Sequence, residues 1–255
     1  MADFIDLSGK TVLVTGGSRG IGEGIVRALH AEGAHVVLNY TRSKARAESI
    51  ADELGRERCL PVGADLADWR QLERLWREAV DWRGRVDVLV NNAAMRQAIA
   101  LDAPTEAWDE HWVKTLRINL VATAHLSRFA IQHYRERGGG IIIGITARIA
   151  VRGDRPEFFH DGAAKAGMNS LLRGIARFHA KDGVLAYLIC AGIIETDQSR
   201  DFIQHYGLDE AVKEIPLGEI GKPSDIANVA VFLASGKARY ATGATIDVVG
   251  ASFLH

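Results

Sequence analysis

Cysteine is nearly absent. Of 255 residues only Cys59 and Cys190 are cysteines, too few for a disulfide framework and fewer than a cysteine-based zinc site needs. Charge of one sign is not in excess either: 31 Lys and Arg against 32 Asp and Glu leave a net charge of -1. That excludes a global basic field for nucleic acid or an anionic membrane, leaving only local patches. No apolar run reaches the roughly 18 residues of a membrane span. The first ten residues, Met1 to Lys10, carry acids and no apolar stretch, so no signal peptide is expected. Together these lacks point to a reducing cytoplasm and a small-molecule substrate, with no nucleic acid, no membrane and no metal.

What is present is ordinary for a folded protein: 47 % apolar and 25 % charged residues, on a chain long enough to bury a sizeable core. Short β-branched runs alternate with longer amphipathic stretches. Strands are expected at Thr11–Thr15, His35–Tyr40, Cys59–Gly63, Val86–Asn91, Ile141–Thr146, Val184–Cys190 and Thr245–Val249. Most are continuously apolar, as strands of a parallel sheet covered on both faces are. Helices are expected at Gly20–Glu32, Ser43–Leu54, Trp69–Trp82, Thr105–Arg135, Gly162–Lys181 and Ser224–Ala234. This alternation means βαβ units with right-handed crossovers. We read one doubly wound α/β domain over residues 1–255, with 198–219 as a small excursion on the substrate side. Trp69, Trp76 and Trp82 fall at near-helical spacing and read as packing rather than as a platform for bases.

The run Thr11-Val-Leu-Val-Thr15 leads straight into Gly16-Gly17-Ser18-Arg19-Gly20-Ile21-Gly22 and then a helix. A glycine-rich turn between first strand and first helix lets backbone amides and the helix N-terminus approach a pyrophosphate. A lone glycine-rich loop is often just a tight turn, but here the flanking strand and helix supply the context the motif needs.

The Gly-x-x-x-Gly-x-Gly spacing resembles that of the short-chain dehydrogenase/reductase family. Asn91-Asn92-Ala93-Ala94 resembles its Asn-Asn-Ala-Gly motif, Asn119 its active-site asparagine, and Lys165 the lysine of its Tyr-x-x-x-Lys pair. Ala191-Gly192-Ile193 with Thr196 is similar to its Pro-Gly motif and the threonine that follows. The resemblance covers essentially the whole chain and is closest to 3-oxoacyl-carrier-protein reductases and bacterial sugar dehydrogenases. It implies a single Rossmann-type domain with a parallel seven-stranded sheet, and a homotetramer or homodimer. It also implies a nicotinamide cofactor held by Gly16, Ser18, Arg19, Gly20, Ile21, Gly22, Thr41, Arg42, Asp65, Leu66, Asn92, Ala93, Lys165, Gly192, Ile194 and Thr196.

The kind of cofactor is legible from charge. An NAD site usually carries an acid at the end of the second strand, and Asn39, Tyr40 and Thr41 supply none. Arg19 in the loop and Arg42 just past the strand favour a 2′-phosphate, hence NADP(H) over NAD(H). The plainer reading of Arg42 is a solvated helix start. Asp65 resembles the aspartate that accepts from the adenine amino group, and it also reads as a cap for the following helix.

The catalytic pattern breaks. The resemblance calls for a tyrosine, a lysine one turn later, a serine that orients the carbonyl and an asparagine that supports a water relay. Four residues before Lys165 stands Asp161, not tyrosine, and Ala147 takes the serine position with Thr146 just before it. Strand alternation argues against Thr146 as a replacement, because neighbouring side chains face opposite ways. Asp161 and Lys165, at i and i+4, are expected to pair as carboxylate and ammonium, a poor acid but a possible base. His160 has a suitable intrinsic pKa but lies about 100° further round the helix. We therefore name Asn119, Lys165, Asp161 and His160 as the candidate catalytic residues.

Arg148, Arg152 and Arg155 follow the serine position, and three arginines there could hold a carboxylate or phosphate. The plainer reading is a solvated loop or a subunit contact. The activity expected is an NADP(H)-dependent oxidoreductase acting on a carbonyl or alcohol with a divergent active site. The alternatives are a non-redox lyase, cyclase or isomerase on the same scaffold, or a non-catalytic nucleotide-binding subunit or sensor.

Overall fold

The computed structural model describes residues 5–254. Seven strands, β1 (Thr11–Val14), β2 (His35–Tyr40), β3 (Cys59–Gly63), β4 (Val88–Asn91), β5 (Gly140–Ala147), β6 (Val184–Ala191) and β7 (Thr245–Val248), form one sheet in the order β3-β2-β1-β4-β5-β6-β7. Every pairing is parallel. This is the expected Rossmann-type sheet. Strand β4 begins two residues later than the sequence suggested; Asp87, just before it, meets Thr11 through both backbone and side chain, its amide donating to the Thr11 carbonyl and its Oδ2 accepting from the Thr11 amide, each at 2.8 Å.

The helices are α1 (Gly20–Ala31), α2 (Lys44–Leu54), α3 (Trp69–Arg83), α4 (Thr105–Leu116), α5 (Ala122–Arg137), α6 (Ile149–Arg152), α7 (Phe159–His179), α8 (Asp197–Tyr206), α9 (Leu208–Val212) and α10 (Pro223–Ala234). Two apolar layers cover the sheet. Val12, Val14, Ile143 and Ile145 pack with α1, α2 and α10 on one face. Leu13, Leu89 and Ile142 pack with α3, α5 and α7 on the other. Alternate residues of each strand serve opposite layers, which is why the strands carry no polar face.

Three elements differ from expectation in ways that position the site. The stretch expected as one helix over Thr105–Arg135 contains a wider π turn, Arg117–Val121, between α4 and α5; such turns recur at functional sites, and this one carries Asn119. Helix α7 starts at Phe159 rather than Gly162, so both His160 and Asp161 lie in its first turn. The excursion at 198–219 holds α8 and α9. Trp76 packs on Phe129 and Trp82 edge-on to His35, but Trp69 is exposed, so packing accounts for only two of the three tryptophans. No helix among the described residues is long and apolar enough to cross a membrane.

Candidate functional site

The strand order reverses between β1 and β4, and their carboxyl ends open the crevice where such sheets bind ligands. The glycine loop lies there. Gly16 sits at φ 64°, a left-handed conformation that disfavours a side chain. A Cβ on Gly22 would come within 2.2 Å of the Gly16 carbonyl oxygen and 2.5 Å of Asn92 Nδ2. Asn92 explains the tightness: its Nδ2 donates to the carbonyls of Thr15 at 2.9 Å and Gly16 at 3.2 Å. The Asn92 and Ala93 amides both donate to Thr15 Oγ1. Asn92 and Ala93 thus shape the loop.

Arg19 caps α1 without a side-chain hydrogen bond, so the first amides of the helix face outward as an anion cradle. Ser18 is buried behind it, and an open cleft of ≈ 580 Å³ is bordered by Ser18, Arg19, Gly20, Arg46 and Thr196. Gly20 meets Thr196 across this cleft, where a Cβ would touch Thr196 Cγ2 at 3.1 Å. At Gly192 a Cβ would come within 2.9 Å of Val249 Cα, Ile194 is buried, and Thr196 caps α8 in a reciprocal pair with Ser199.

At the end of β2 the Asn39 side chain is spent on backbone, accepting from the Gly16 amide and donating to the Val62 and Ala64 carbonyls, all at 3.3 Å. Thr41 Oγ1 donates to the Ala64 carbonyl at 3.1 Å. Arg19 and Arg42 are both exposed and make no ion pair among the described residues. Arg46, by contrast, is held by Glu23. Leu66 is buried, and Asp65 is exposed with one carboxylate oxygen accepting from the Ala67 amide. The helix cap expected of Asp65 is instead Asp68, which accepts from the Arg70 amide at 2.9 Å; the helix starts one turn later than that reading required. A dinucleotide pyrophosphate fits this crevice: the cradle, the close glycine packing and the unpaired arginines are all present.

The reaction end of the crevice holds a cluster that the sequence shows only in part. Lys165 is buried, and its Nζ donates to the Ile145 carbonyl at 2.6 Å. Burial pushes the Lys165 pKa down, while the charge of Asp161 opposes that shift. The two do not pair directly, contrary to the i, i+4 expectation. Asp161 turns instead to Arg96, whose Nη1 donates to Asp161 Oδ2 at 2.8 Å, and Lys165 is drawn away by the β5 carbonyl. Asn119 Nδ2 donates to the other oxygen, Oδ1, at 2.9 Å. Arg96 also bonds Asp154 and lies 4.0 Å over the ring of Phe158.

Asn119 is clamped as well. Its Oδ1 accepts from the Met95 amide at 2.7 Å and its Nδ2 donates to the Met95 carbonyl at 2.9 Å. With Asp161 taking the second N–H, the amide has no donor left for the water relay expected of it. Its work here is to fix Met95, and so Arg96, beside Asp161. Neither Arg96 nor Asp154 was among the candidates from sequence. The available signal was that a carboxylate at a buried helix position needs a cation; spacing does not say which one, since Arg96 lies 65 positions from Asp161.

His160 is not brought into this cluster. It is fully buried, with its ring 4.6 Å from that of His111 and near Trp112, and its Nε2 3.2 Å from the Glu157 carbonyl. Burial, reinforced by His111, pushes its pKa down. Thr146 is buried on the sheet face opposite to that of Ala147, and its hydroxyl has no partner among the described residues. Of the three arginines, Arg152 pairs with Glu214 at 2.9 Å and Arg148 is buried rather than solvated.

The family described as enoyl-(acyl carrier protein) reductase matches residues 16–250. The chain is 36 % identical over 254 residues to L-rhamnose 1-dehydrogenase (NAD(P)(+)) of Azotobacter vinelandii, an alignment covering 96 % of this chain and 97 % of that one. It is 32 % identical over 248 residues to 3-oxoacyl-[acyl-carrier-protein] reductase of Staphylococcus aureus, with 96 % and 98 % covered. A second L-rhamnose 1-dehydrogenase, from a Sphingomonas strain, is 33 % identical over 254 residues, with 98 % of each chain covered.

Proposed function

The chain belongs to the short-chain dehydrogenase/reductase family of oxidoreductases, and from that premise we propose that it interconverts an alcohol and a carbonyl with NADP(H), using Asp161 where the family uses tyrosine. When bound, the nicotinamide supplies or accepts the hydride. The observation that carries the reading is the Asp161 carboxylate. It stands one helical turn before the buried Lys165, with donors from Asn119 and Arg96 on its two oxygens. A group held that way is an acceptor. It takes the hydroxyl proton of an alcohol, through a water where the shorter side chain does not reach. Lys165 has spent one of its three donors on Ile145 and has two for the nicotinamide ribose.

The preference for NADP(H) over NAD(H) is supported by Arg19 and Arg42, exposed and unpaired beside a β2 end that carries no acid. Assembly as a homodimer or homotetramer is supported by exposed Phe178 and Tyr240, 74 % and 105 % accessible in the single chain. The second reading is nucleotide binding without redox turnover. It is favoured by the same lock, since Arg96 and Asn119 engage both oxygens of the group that must move a proton.

The test is nicotinamide absorbance over a panel of aldoses, secondary alcohols and 3-oxoacyl thioesters, with the wild type beside Ala147→Ser/Asp161→Tyr. Turnover by the wild type supports Asp161 chemistry. Turnover by the double variant alone would contradict it and leave the second reading.

A further inference from the structure

Arg148 has no part in the proton and nucleotide contacts above, yet it follows Ala147 directly at the end of β5, the strand whose Ile145 carbonyl holds Lys165. It is 9 % exposed. Its Nη1 lies 3.3 Å from Glu214 Oε2 without being aligned to donate to it, so this nitrogen has no hydrogen-bond partner among the described residues. That carboxylate oxygen accepts from Arg152 Nη1 instead, at 2.9 Å. Glu214 itself is more than half exposed and stands just past α9, on the segment between β6 and α10.

A guanidinium presents its donors as a planar fork, which suits a carboxylate gripped through both oxygens. Holding it out of water against one misaligned, solvated partner leaves its desolvation uncompensated. Burial and the neighbouring Arg152 push the Arg148 pKa down, and Glu214 and Asp154 only partly offset this. The arrangement is that of a buried cation short of a partner, and the partner it has is on an exposed side chain that can leave.

We propose that Arg148, with Arg152, receives a carboxylate borne by the substrate, and that Glu214 holds the place of that carboxylate until the substrate arrives. The proposal rests on the reading of this crevice as an alcohol or carbonyl site and adds the substrate class, a hydroxy or oxo acid. A carboxylate fits better than a phosphate for two reasons. The present occupant is itself a single carboxylate, and the nearby charge of Asp154 opposes a second negative charge.

The experiment is calorimetric binding of short 2- and 3-hydroxy acids, from lactate to 3-hydroxyhexanoate, to the NADP+-saturated protein, each against its methyl ester. At least one acid is expected to bind about tenfold or more tighter than its ester. Arg148→Gln should abolish that preference, with NADP+ affinity unchanged as the control for folding. Glu214→Gln, at an exposed position, should tighten acid binding several-fold by removing the competitor. The proposal is overturned if no acid outbinds its ester, if inorganic phosphate outbinds every acid, or if Glu214→Gln leaves acid affinity where it was. Turnover is scored separately. Acids that bind and are not oxidised overturn the redox reading alone, and oxidation of uncharged alcohols with no preference for acids overturns this proposal alone.

Discussion

Arg96 donates to two carboxylates at once, and the side chains of Asp154 and Asp161 are only 8 % and 4 % exposed. Removing the guanidinium leaves both buried acids without the cation they share, with only the charge of Lys165, held on the Ile145 carbonyl, still acting on Asp161. Arg96→Ala should therefore cost on the order of 3 kcal/mol of unfolding free energy, read from urea denaturation. Adding Asp161→Asn should return part of that loss, because the two changes share one interaction. A loss indistinguishable from zero would mean that the acids are solvated or paired elsewhere. At this scale the sequence was legible for single positions and not for partnerships. The missing tyrosine at Asp161 and the missing serine at Ala147 were evident from register with Lys165. That Asp161 would turn to Arg96 rather than to Lys165 was not, because the competing acceptor for Lys165 is a backbone carbonyl of another element. His160, one position away, was drawn in by its chemistry and excluded by helix geometry that places it against His111.

The glycine loop, the π turn and the first turn of α7 are the elements that hold these residues, and they differ in how plainly they are written. Continuous apolar runs between glycine-rich turns announced the strands to within a residue or two, since a strand buried on both faces has no polar positions to blur it. The loop was equally plain because glycine is the only residue that fits. Gly22→Ala places a methyl against the Gly16 carbonyl and Asn92 Nδ2. It should destabilise by about 1–3 kcal/mol and weaken NADP(H) binding at least about tenfold, as the loop must spread. Thermal unfolding and a fluorescence titration check the two effects, and normal affinity would show that the loop is not the cradle. The π turn at Arg117–Val121 left no mark in the apolar period, because one extra residue in one turn shifts the pattern by less than the width of the buried stripe.

Just below neutral pH the whole molecule responds to acid through four of its histidines. His30, His35, His133 and His160 are each held below the ordinary value of 6.5, by burial first in every case. Both folded and unfolded chains are neutral at these positions above that value. As the pH falls below 6.5 the unfolded chain takes up protons first, so stability is lost progressively toward the lower folded values. The melting temperature should fall between about pH 7.5 and about pH 5.5, and His160→Gln should flatten part of that slope; a flat profile in the wild type would contradict the burial. The scaffold and its crevice were legible from alternation and motif order, while the chemistry at its end depends on a contact 65 positions apart in the chain. The most direct measurement is therefore on Asp161→Asn, which keeps the shape and removes the basic oxygen. Nucleotide affinity should stay close to wild type, and turnover with NADP(H) saturating should fall by at least about 10²-fold. Unchanged turnover would place the proton on another group and rule out Asp161 as its acceptor.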